Sequence, residues 1–117
     1  GLIAVQAGSA SPTELLNFTA VNNTLRSVFP AVVQYAAYVP CFGGPWGFCL
    51  ASRKNDPSGL TAEEVDKKLA SRGLRGLRFY DGVTHRSMFS LPRYIREALI
   101  NQQRIITDKK PLYLYGK

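Results

Sequence analysis

Apolar positions along the first fifty residues change period from one segment to the next. Leu2 to Gln6 (LIAVQ) is a short unbroken apolar run, as expected of a strand covered on both faces of a sheet. Ser11, Pro12 and Glu14 then form a helix-start pattern, with a capping serine, proline at the first helical position and an acid three residues after the cap. Leu15, Phe18, Val21, Leu25, Val28 and Phe29 follow at helical spacing and predict one buried stripe, ended by Pro30. Ala31–Val39 and Trp46–Ser52 read as two more strands. Only the six residues PCFGGP separate them, too few for a parallel crossover, so they must pair antiparallel.

The second half is more polar and more often interrupted. Asn55-Asp56-Pro57-Ser58-Gly59 predicts a loop. Thr61 and Glu64 form a capping box that opens a helix through about Ser71, with Gly73 as its stop. Leu77–Tyr80 is a candidate strand, Asp81-Gly82 a turn, and THRSMF a single helical turn. Pro92 opens a helix through about Gln103, and the tail from Arg104 to Lys117 reads as an extended surface segment.

Charge divides the chain along the same line. The net charge is +7, yet before residue 51 the charged side chains are Glu14 and Arg26 alone. The first half is therefore core and the second a charged cover. A basic surface attracts nucleic acid, which keeps a small basic α/β nucleic-acid-binding module as an alternative. The basic residues, however, fall on helices beside Glu63, Glu64, Asp66 and Glu97, as on a solvated face. At 117 residues one domain is expected, and no apolar run approaches the ~20 residues of a membrane span. The N-terminus, lacking Met and a basic region, does not read as a signal peptide. Cys41 and Cys49 are too few for a disulfide framework and have no companions for a metal site, so free thiols are expected.

Catalytic signatures are sparse. No phosphate-binding loop, dinucleotide fingerprint or nucleophile elbow occurs, and no carboxylate pair offers a general acid and base. His85 lies between a turn and a helix start, with no serine or cysteine to activate, and is expected to be a structural hydrogen-bonder. Gln6 ends the first strand, and the loop carrying Phe42 and Trp46 leaves the corresponding end of the second. In open α/β sheets ligands bind beyond such strand ends. Phe42 and Trp46 either line that crevice or cap the core; the residues alone leave both open.

AAYVPCFGGPWGFCLASR and LRFYDGVTHRSMFSLPRYIREAL together resemble the C-terminal part of spermidine synthases, the polyamine aminopropyltransferases. In the second motif the resemblance is carried by Arg78, Phe79, Tyr80, Asp81, His85, Phe89, Leu91 and Pro92, and LIAVQAGS resembles the family's strand ending in Val-Gln. The likeness covers about residues 1–100. It implies the C-terminal part of a methyltransferase-like Rossmann sheet (strand, helix, strand and an antiparallel final strand) with C-terminal helices. Its activity would be transfer of an aminopropyl group from decarboxylated S-adenosylmethionine to putrescine or a related polyamine.

In that family the nucleotide loop and the catalytic aspartates precede the strand with which this chain opens. The resemblance therefore implies that the chain lacks its upstream nucleotide-binding half, holds no catalytic residue, cofactor or metal, and is inactive alone. Its part would be the polyamine-side wall, formed by Gln6, Phe42 and Trp46. Its first strand, without an upstream neighbour, should present a hydrophobic edge. The parent is expected to be a cytoplasmic homo-oligomer, engaging neither membrane nor nucleic acid. Phe42 stands where the family usually has Tyr, and the loop is about one residue shorter, which puts the choice of acceptor in doubt. A methyltransferase-like protein without this activity is the remaining alternative.

Overall fold

The computed structural model describes residues 1–113. Its elements are β1 (Leu2–Ser9), α1 (Leu16–Arg26), β2 (Ala31–Val39), β3 (Gly44–Ser52), α2 (Ala62–Ser71), α3 (Gly82–Phe89) and α4 (Arg93–Asn101). The class is α/β, as expected. The sheet runs in the order β1-β3-β2, with β3 antiparallel to both neighbours. The short connection from β2 forces the first antiparallel pair. β1 then completes the sheet on the other side of β3, parallel to β2 but not touching it.

Side-chain alternation divides the sheet into two faces. Gly47, Cys49 and Ala36 face α1, where Phe18, Ala7, Ala10 and Ile95 of α4 complete a small core. Tyr35 and Phe48 occupy the opposite face, stacked with ring centroids 4.9 Å apart, and Phe89 of α3 meets Tyr35 edge-on at 5.6 Å. The result is three layers, with α1 and α4 on one side and α3, braced by α2, on the other. Phe18 lies flat on the central strand because residue 47 is glycine. A Cβ there would stand 2.5 Å from the Phe18 ring.

The helix-start pattern at Ser11 does not open α1. Ser9 Oγ accepts the Ser11 N–H at 3.0 Å and Glu14 N–H reaches Ser11 O at 3.1 Å, so these residues make a turn. The helix begins at Leu16 without a side-chain cap and ends at Arg26, leaving Val28 exposed. β1 runs on to Ser9 rather than stopping at Gln6, because its register slips between Gln6 and Gly8 and the backbone continues beside β3. Nor is β1 covered on both faces: Leu2 and Ile3 are about half exposed, on a strand with one unpaired edge among the described residues.

The capping box of Thr61 and Glu64 forms as expected, and Gly73 follows α2 in the left-handed region at φ 70°. Leu77–Tyr80 is no strand, since no sheet edge reaches it; Leu77 and Phe79 are exposed. Asp81-Gly82 is a helix start rather than a reverse turn. Asp81 caps α3 by accepting the Thr84 N–H at 2.9 Å, a bond that holds its carboxyl below the usual range. The THRSMF segment belongs to the eight-residue α3. Beyond α4 the described tail has no regular element and straps α1: Asn23 Nδ2 donates to Arg104 O at 3.0 Å and Ile106 N–H to Thr24 Oγ1 at 2.8 Å. The rest of the tail expected on the surface, residues 114–117, lies outside the described residues.

Gly47→Ala should lower the unfolding free energy by about 1–3 kcal/mol, the usual cost of overpacking. Denaturant unfolding of the complete gene product measures this, and an unchanged midpoint contradicts the close approach of Phe18.

Candidate functional site

The hairpin joining β2 to β3 builds an aromatic platform. Pro40–Phe42 form one tight helical turn, closed by Gly43 at φ 78° with its N–H on Pro40 O at 3.1 Å. Phe42 is thereby set against Trp46, with ring centroids 4.5 Å apart and planes inclined by 38°. Phe42 remains 44% exposed, so the pair is a surface and not a cap on the core.

Trp46 is held from the side by β1. Gln6 is paired with Phe48, so Trp46, two residues earlier on β3, is its diagonal neighbour on the same face. The indole Nε1–H donates to Gln6 Oε1 at 2.8 Å. Because an indole nitrogen can only donate, this bond also sets which way the Gln6 amide points. One lone pair of Oε1 and the Gln6 NH₂ group remain for other partners. Strict alternation would place Gln6 and Ser9, three residues apart, on opposite faces. The extra residue at the slip returns Ser9, paired with Trp46, to the side of Gln6. The three residues singled out in the sequence, Gln6, Phe42 and Trp46, thus come together.

Phe42 and Trp46 line a cleft of about 510 Å³ at the end of the sheet, together with Ser9, Glu14 and Asn17, and Gln6 stands behind Trp46 through the indole bond. Asn17 is fixed by donating to Ala7 O at 2.8 Å, and Gly8 leaves room for it: a Cβ there would stand 2.6 Å from Asn17 Nδ2. Leu112 and Tyr113 of the tail also line the cleft. Glu14 escaped the reading of the sequence because the capping pattern assigned it to the helix. Its sign was available in composition, as the one acid among the first fifty residues.

The second motif does different work. His85 is buried, with Nε2 2.9 Å from Pro57 O and Nδ1 2.8 Å from the Tyr80 hydroxyl. A carbonyl can only accept, so Nε2–H donates to Pro57 O, and Nδ1 is left to share a hydrogen bond with the Tyr80 hydroxyl. Burial raises the Tyr80 phenol above its ordinary value, which keeps it a donor. Arg86 Nη1 donates to Ser58 O at 2.9 Å and Asp66 Oδ1 accepts the Gly82 N–H at 2.8 Å. His85 is the structural hydrogen-bonder expected. It clamps the loop before α2 onto α3 and takes no part in lining the cleft. Among the described residues no three His, Cys, Asp or Glu side chains converge to hold a metal, and no helix is long and apolar enough to cross a membrane.

No protein-family model matches the chain. Individual proteins do. Polyamine aminopropyltransferase 2 of Hyperthermus butylicus is 41% identical over 114 residues, covering 97% of this chain and 37% of the relative. The polyamine aminopropyltransferase of Sulfurisphaera tokodaii is 41% identical over 110 residues, or 94% of this chain and 36% of its own length. The crystal structure of spermidine synthase from Thermotoga maritima superposes with a TM-score of 0.69 at 21% identity, over 87% of this chain and 35% of that one. The resemblance read from the motifs is borne out, and the fold is that of part of a spermidine synthase. The chain spans a little over a third of the curated relatives it matches.

The two thiols differ sharply across the hairpin. Cys41 is exposed beside Phe42, whereas Cys49 is buried against α1 and burial pushes its thiol up to about 12. A thiol reagent at neutral pH should label Cys41 in the native protein and spare Cys49 until unfolding. Peptide mapping of the labelled protein reads this, and equal labelling rates contradict the packing.

Proposed function

We propose that this chain forms the acceptor-side wall of a polyamine aminopropyltransferase. The Phe42–Trp46 pair lining one cleft, with Gln6 holding the indole, carries this reading, within a chain that matches such enzymes over nearly its whole length. In the reaction an amine nitrogen of putrescine or a related polyamine attacks the propyl carbon beside the sulfonium of decarboxylated S-adenosylmethionine. A C–N bond forms, the C–S bond breaks with its electron pair going to sulfur, and methylthioadenosine leaves. The amine proton passes to a carboxylate that this chain does not supply.

The wall works by position and charge. An ammonium over the Phe42–Trp46 pair gains about 0.5–2 kcal/mol from the ring faces, more as water is excluded. The free lone pair of Gln6 Oε1 accepts an N–H from the amine and orients its nitrogen, which serves proximity rather than proton transfer. On this reading residues 1–117 are the C-terminal portion of one Rossmann-like catalytic domain. Its nucleotide loop and catalytic aspartate come from the remainder of the enzyme, which acts as a cytoplasmic homo-oligomer. A protein of net charge +7 repels a polycation, so the remainder must also supply acidity.

The complete gene product should form methylthioadenosine from decarboxylated S-adenosylmethionine and a polyamine. Trp46→Ala should raise the polyamine KM roughly two- to thirtyfold, the span of a lost cation–π contact, while leaving the nucleotide KM nearly unchanged. No product with any polyamine sinks the assignment, and equal effects on the two KM values sink the wall.

A further inference from the structure

The proposed wall provides for one ammonium, but the cleft it borders is larger and carries a charge of its own. Its volume of about 510 Å³ lies within the usual range of small-molecule sites. Among its described lining residues Glu14 bears the only formal charge. That charge is negative in a molecule of net +7. Among the described residues Glu14 makes no ion pair; the one ion pair, between Arg93 and Glu97, lies on α4. Its backbone is tied into the turn after β1 by the bond to Ser11 O, and its side chain is exposed at the cleft.

An aromatic platform and an unpaired carboxylate sharing one cleft match a linear cation bearing more than one ammonium beyond the reacting nitrogen. Resting on the aminopropyl-transfer reading, we infer that Glu14 is the specificity-determining carboxylate for a triamine acceptor and pairs with its distal ammonium. One ammonium lies over Phe42 and Trp46, and the next reaches Glu14. A diamine, one charge shorter, has no group for it. The rival role is local: an acid just ahead of α1 also favours the helix dipole. That role acts on stability and cannot distinguish between acceptors.

The test compares Glu14→Gln with the unaltered complete gene product, using putrescine and spermidine as acceptors. The variant should lose about tenfold in kcat/KM for spermidine, equivalent to about 1.4 kcal/mol, and stay within twofold for putrescine. Glu14→Asp, which keeps the charge, should recover part of the spermidine activity. Equal losses with both acceptors, no loss with either, or a lowered Tm without acceptor selectivity overturns the assignment of Glu14. Absence of methylthioadenosine from the unaltered protein with both amines instead marks failure of the aminopropyl-transfer reading beneath it.

Discussion

The flat contact of Phe18 on the backbone of Gly47 is the constraint on which the rest of the molecule depends. It sets α1 directly over the central strand, with the helix axis too close for any side chain at position 47. Once α1 is placed, the turn that precedes it lies at the end of the sheet, with Ser9 and Glu14 beside the start of β3. The strand's alternation does the rest. The residue before Gly47 must point to the opposite face, and that residue is Trp46. A packing requirement of the core thus determines where the largest aromatic side chain emerges.

On the emerging side, rigidity comes from short-range chemistry. The Gly43 turn aligns Phe42 with Trp46, and Gln6 holds the indole by its single donor. One support lies in the turn between β2 and β3 and the other on β1, which meets that hairpin through β3. The platform therefore reports on the integrity of the whole sheet. The motif around His85 serves the outer layer, tying the loop at Pro57 to α3 behind Tyr35 and Phe48. Its residues preserve the scaffold, while the cleft lies elsewhere.

Regular periods were readable wherever local preference and tertiary packing agreed. The stripe through Phe18 and Leu25, the two hairpin strands and the Thr61–Glu64 cap all formed where their spacing placed them. The aromatic loop was legible because Gly and Pro leave few alternatives for the chain around Phe42. Misreadings arose where a competing bond was non-local or unanticipated. Ser9 takes the Ser11 N–H, which removes Ser11 as a helix cap and delays α1 to Leu16. The slip at Ala7 prolongs β1, and no strand period encodes a bulge. Leu77–Tyr80 had strand composition but no edge to join. Glu14 was hidden by a pattern that explained it too early, as a cap rather than as a cleft residue.

If the proposed wall acts as one unit, Gln6 and Trp46 must be energetically coupled toward the acceptor, since one orients the other. The most direct measurement is a double-mutant cycle on the acceptor KM in the complete gene product, using Gln6→Ala and Trp46→Phe. The second change keeps an aromatic ring and removes the indole N–H. Coupling of at least about 0.5 kcal/mol is the predicted result, with the double variant losing less than the sum of the single losses. Losses that add to within about 0.3 kcal/mol would contradict the account, because two independent side chains cannot form the oriented wall described.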